Sequence, residues 1–163
     1  MNIRKQQGFT IIEVVLVLAI AGLIFLMVFI ALPTLQRNQR DTQRRDDVAR
    51  MKAQISQYQA NNKGVIPTNT AAVGCTTVAG NIGAFIDNYM TTGGATFNDP
   101  DGTAYKTRCQ LVATVPANTG EWRYVTGNVC GATEGTLTAA STRDYVIQMK
   151  LEGSGIACVD SKN

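Results

Sequence analysis

The chain has 163 residues, room for one small domain and a long helix, and a formal net charge of +3. It contains no histidine, which excludes His-based triads and His general bases. The charge is unevenly spread. Between Pro33 and Asn62 stand six basic residues (Arg37, Arg40, Arg44, Arg45, Arg50, Lys52) against three acidic (Asp41, Asp46, Asp47), whereas from Gly64 onward six basic face eight acidic. The basic balance thus belongs to the amino terminus and one helical segment, and it does not mark nucleic acid as the main partner.

Met1 to Gly8 is polar or charged, with Arg4 and Lys5, and an almost unbroken apolar run of 24 residues follows from Phe9 to Leu32. As a helix this run extends roughly 36 Å, more than the roughly 30 Å of a bilayer's hydrocarbon core. It is longer than the apolar part of a secretory signal peptide, and no small-x-small cleavage site follows it. The run therefore reads as a single-pass membrane anchor. Glu13 does not fit a plain anchor, because a carboxylate at the centre of a membrane helix costs on the order of 3 kcal/mol, less near an end. No Lys, Arg or His lies between Thr10 and Gln36, so no cation on the same helix can pair with it. Its partner is expected from another chain, a new amino terminus or lipid headgroups.

Gly8-Phe9-Thr10-Ile11-Ile12-Glu13-Val14-Val15, preceded by the short basic leader Met1 to Gln7, resembles the processing motif of type IV pilins and pseudopilins. The resemblance implies cleavage between Gly8 and Phe9 by a prepilin peptidase, N-methylation of Phe9, and a Glu13 that faces the Phe9 amine of a neighbouring subunit. It implies as partners copies of the chain itself in a helical filament, the peptidase/methyltransferase, an inner-membrane assembly platform, and the membrane before assembly. Past Leu32 the similarity is one of layout. One observation runs against it: basic residues are denser after the apolar run than before, which by the positive-inside rule alone puts the carboxyl-terminal side in the cytoplasm. A leader processed in the cytoplasm and the cysteines described below outweigh that.

From residue 33 to 62 the helical pattern continues, with Val48, Met51, Ile55 and Tyr58 on one face. Arg37–Asp41, Asp41–Arg45 and Asp46–Arg50 are i,i+4 pairs on other faces, and Pro33 is a candidate kink. Asn61-Asn62-Lys63-Gly64 and then Pro67 mark the end. Residues 64–104 are turn-rich, with a short helical piece expected over 81–90 and a turn at Asn98-Asp99-Pro100-Asp101-Gly102. An EF-hand register fails there, since Phe97 and Arg108 stand where an acid or amide and a glutamate are needed. Strand-like runs follow at roughly 105–115, 121–129, 145–151 and 156–160, with Gly153-Ser154-Gly155 as a tight hairpin link. Trp122 and Tyr124 share a face and read as core. The expected fold is α+β, a long helix packed on a small antiparallel sheet.

Cys75, Cys109, Cys130 and Cys158 all lie in the last 90 residues, with spacings that match no zinc pattern. An even number in a small exported domain reads as two disulfides with three possible connectivities. Cys109–Cys130 with Cys75–Cys158 is favoured, because the turn-rich stretch Pro116–Gly120 is expected to fold the flanking strands back on each other. No cofactor, metal site or nucleophile motif is found, and the carboxylates of the sheet region read as solvated turn residues. The expected organisation is a leader (1–8), a membrane and filament-core half-helix (9–32), an amphipathic half-helix (33–62) and an extracytoplasmic head (63–163). The expected function is that of a major pilin, non-enzymatic, held in the cell membrane before assembly and on the cell surface after it. Alternatives are a pseudopilin of a secretion or DNA-uptake system, or a ligand-binding minor pilin or adhesin.

Overall fold

The computed structural model describes residues 8–68, 82–91, 97–103, 105–108 and 115–162. It contains two compact units, Met1–Arg37 and Asn38–Asn163. Helix α1, Ile11–Asn61, contributes to both and runs through Pro33 without interruption. In the first unit every large apolar side chain from Phe9 to Leu35 is exposed. Among the described residues α1 alone is long and apolar enough to cross a membrane, with mean hydropathy 3.2 over its most apolar window.

In the second unit the helix buries the expected stripe of Val48, Met51, Ile55 and Tyr58. Its end is a Schellman closure, with the Gly64 N–H donating to the Gln59 carbonyl at 2.8 Å. Lys63, at φ 56°, takes the left-handed position that glycine usually fills. A short helix α2 (Ile82–Phe85) passes into a π-helical turn, Ile86–Thr91, where the sequence pattern predicts a helical piece. The sheet has the order β1-β2-β5-β6 and is formed by Lys106–Arg108, Glu121–Thr126, Tyr145–Lys150 and Ile156–Asp160. A separate ribbon pairs β3 (Asn128–Cys130) with β4 (Leu137–Ala139). The core joins the helix stripe to Trp122, Tyr124, Tyr145, Ile147 and Met149 from the sheet and to Ile82, Phe85 and Met90. The architecture is α+β, as the sequence pattern implies. The β5–β6 hairpin forms where Gly153-Ser154-Gly155 predicts it, closed by the Leu151 N–H on the Gly155 carbonyl at 3.0 Å.

Three details depart from expectation. The run 121–129 is not one strand: Gly127, at φ 75°, breaks it and sends β3 into the second ribbon. β1 pairs with β2 in parallel, Lys106 opposite Glu121 and Arg108 opposite Arg123, so Pro116–Gly120 does not join an antiparallel hairpin. The disulfide is the third departure. Cys130 in β3 is bonded to Cys158 in β6, not to Cys109, and Cys158 is therefore not bonded to Cys75. Cys75 and Cys109 lie outside the described residues.

The acids of the head are not all solvated turn residues either, for Asp99, Glu121 and Asp160 are buried. Glu121 accepts the backbone N–H groups of Ala117 and Asn118 at 3.0 and 3.2 Å, and Asp160 accepts that of Cys130 at 3.0 Å. Asp99 is held by Arg44, whose side chain is 1% exposed. Arg44 Nε and Nη2 meet the two Asp99 oxygens at 3.0 and 2.6 Å. Its Nη1 meets Asp41 at 3.0 Å and Glu152 at 3.4 Å. Asp41 also accepts the backbone N–H groups of Glu152 and Gly153 at 2.7 and 2.8 Å, and Arg40 grips Glu152 with two bonds of 2.6 Å. Gly120 makes room for this cluster: at φ 73°, its missing Cβ would lie 2.4 Å from an Asp99 oxygen. The charge pairs along the helix are Asp41–Arg44, where Asp99 and Glu152 arrive from distant loops, and Asp47–Arg50, where Asp47 also accepts the Tyr105 hydroxyl at 2.6 Å, both at i,i+3.

Non-reducing tryptic mapping should recover the peptides carrying Cys130 and Cys158 as one species, and replacing both by Ser should lower head stability by about 3–4 kcal/mol. A Cys109–Cys130 peptide pair would contradict the topology. Arg44→Met should destabilise by about 3–5 kcal/mol, because it strands buried carboxylates. Urea denaturation followed by the single tryptophan, Trp122, reads this directly. Hydrogen bonds from Arg40 hold the Glu152 carboxyl at about 2 against an ordinary 4.5. A depressed carboxyl contributes stability that is full above pH 4.5 and lost as pH falls through about 2. Glu152→Gln should therefore flatten the acid limb of the stability profile in that window.

Candidate functional site

Gly8, Phe9, Thr10 and Glu13 lie at the start of α1. Thr10 is the residue before the first helical position and Glu13 is the third within the helix, the spacing of a capping box. The contacts are those of that motif. The Thr10 backbone N–H donates to Glu13 Oε2 at 2.9 Å, the Thr10 hydroxyl donates to the same oxygen at 2.7 Å, and the Glu13 N–H reaches the Thr10 hydroxyl oxygen at 3.4 Å. Amide groups that the first helical turn leaves without partners are satisfied in this way.

The carboxylate therefore has donors on its own chain. A search for a cation on the helix could not find them, because the donors are neutral. The signal was present in the sequence as Thr10-x-x-Glu13, and Thr10 is the site residue that sequence reasoning missed. Only one carboxylate oxygen is used: among the described residues nothing donates to Glu13 Oε1. Glu13 and Phe9 border one open apolar hollow, together with Val14, Val17 and Leu18.

Gly8 needs no structural explanation of the usual kind. Its φ is not positive, and among the described residues no atom lies within 4 Å of where a Cβ would stand. Among those residues, neither backbone strain nor packing demands glycine at this position. The other cluster of ionisable groups, around Arg44, has its carboxylates engaged by guanidinium and backbone donors. Among the described residues no group of three or more Cys, Asp or Glu side chains is disposed to hold a metal ion.

The family described as the prokaryotic N-terminal methylation motif matches residues 3–29. The match spans the basic residues Arg4 and Lys5, the Gly8–Phe9 junction, the capping box and most of the apolar run. No curated protein and no solved structure matches the chain. In its amino-terminal segment the chain carries a prokaryotic N-terminal methylation motif, a finding consistent with the resemblance to type IV pilins and pseudopilins.

Proposed function

We propose that the chain is the structural subunit of a type IV pilus-like helical filament, a major pilin. The observation that carries this reading is the exposed apolar first half of α1 with one carboxylate, Glu13, in its first turn, preceded by a glycine that no contact among the described residues requires. In this reading the precursor sits in the membrane through α1. A prepilin peptidase cleaves between Gly8 and Phe9, and the Phe9 amine is methylated. An assembly platform in the inner membrane then moves the subunit from lipid into the filament, where α1 packs against copies of itself and the head faces outward.

Physical chemistry divides the labour between the apolar surface and Glu13. In lipid the helix already has an apolar environment, so transfer into a filament gains little hydrophobic free energy. Close packing and the pairing of Glu13 with the Phe9 amine of a neighbour then set the register. Each partner of that pair offsets a desolvation penalty the other would suffer alone. The repeated contact joins different surfaces of successive subunits, which makes the assembly open-ended.

The family that carries this motif is structural, and the charge of the head, six basic to eight acidic residues from Gly64 onward, does not favour DNA as its ligand. Mass spectrometry of the mature chain should give an amino terminus at Phe9 carrying one methyl group. A retained Met1, or cleavage beyond Leu32, would refute the reading. Glu13→Ala and Glu13→Gln should leave membrane insertion intact and abolish or strongly reduce filaments, as counted by electron microscopy. Normal filaments from either variant would remove the pairing. Wild-type cells lacking long surface fibres but forming short periplasmic assemblies would reassign the subunit as a pseudopilin.

A further inference from the structure

The capping box gives the two oxygens of Glu13 different surroundings. Oε2 accepts two hydrogen bonds from Thr10, at 2.9 and 2.7 Å, while Oε1 accepts none from the described residues. Two donors on one oxygen fix the rotation of the carboxylate as well as its position. The described residues that line the hollow with Glu13 are Phe9, Val14, Val17 and Leu18, whose side chains cannot donate a hydrogen bond. Any further donor must come from outside this stretch of chain. An ionised carboxylate in an apolar setting needs several donors, and one cation does not supply them all.

We propose that Thr10 is a positioning residue for assembly: its hydroxyl and N–H hold Oε2 of Glu13, so that Oε1 is presented to the cation of a neighbouring copy. This rests on the pairing of Glu13 with a neighbour's amine, and it adds a division of the carboxylate by oxygen atom. Oε2 completes the chain's own helix, and Oε1 serves the contact between chains. The Thr10 hydroxyl also serves twice, since it accepts from the Glu13 N–H and donates to the Glu13 carboxylate. The carboxylate is thereby oriented before the neighbour arrives, and less side-chain freedom is lost on assembly.

A role in holding Glu13 can be separated from a role in capping the helix. Glycine is nearly as good an N-cap as threonine but has no hydroxyl. Serine retains both functions, and valine keeps the shape while losing both. In the full-length chain, with processing checked by mass spectrometry, Thr10→Ser should assemble as wild type. Thr10→Gly and Thr10→Val should both lose filament yield by about tenfold at an equal processed membrane pool, the effect of one charge-assisted hydrogen bond. In a Glu13→Gln background, Thr10→Gly should cause no further loss. Wild-type yield from Thr10→Gly alongside a defective Thr10→Val would reduce Thr10 to a helix cap and overturn the proposal. So would a Thr10→Gly defect that persists undiminished beside Glu13→Gln. If Glu13→Gln itself assembles normally, the pairing fails and the positioning role fails with it. If Glu13→Gln is defective and Thr10→Gly is not, the positioning role alone fails.

Discussion

Arg44 brings together parts of the head that are far apart in sequence. Its guanidinium is buried, and guanidinium burial is tolerated only when nearly every N–H finds an acceptor. The acceptors come from the helix itself (Asp41), from the loop at Asp99 and from the hairpin turn at Glu152. Asp41 then turns its remaining capacity to the backbone of that same hairpin. The apolar stripe beneath, from Val48 to Tyr58, holds the sheet by non-directional burial, whereas this cluster fixes which turn of the helix faces which loop. The hydrophobic contact supplies most of the free energy and the ionic one the register.

The amino-terminal unit poses the opposite problem. Its large apolar side chains from Phe9 to Leu35 are exposed, a contiguous apolar surface of the kind that marks an interaction site. Against that uniform surface a single carboxylate is the chief directional element. Its bonds to Thr10 show how a charged group can sit at the margin of an apolar helix: part of its hydrogen-bonding capacity is met locally, and the rest stays open.

Much of this was legible in the sequence because it depends on short-range pattern. The run from Phe9 to Leu32 is visible as continuous hydropathy, and the Val48, Met51, Ile55, Tyr58 face as period 3.6. The β5–β6 hairpin follows from two glycines around a serine. What could not be read depends on groups that meet only after folding. Asp41 is as well spaced for Arg45 as for Arg44, and only Asp99 and Glu152 decide between them. Gly127 looks like one more glycine in a strand until its positive φ separates β2 from β3. The parallel pairing of β1 with β2 is likewise set by a meeting of strands that no local pattern encodes, and with it goes the choice of Cys158 as the partner of Cys130. The Thr10–Glu13 box is a different kind of miss, because the pattern was present and a search restricted to charges passed over it.

The bond between Cys130 and Cys158 encloses 28 residues of separation that include β4, β5 and the exposed turns at 132–134 and 141–143. Exposed turns are where proteases cut. A chain nicked at either turn would remain one covalent molecule, with β6 still tethered to β3. The bond thus turns a cut that would release the final strand into one that leaves a two-piece molecule intact. Damage of this kind would be invisible on a non-reducing gel and evident on a reducing one.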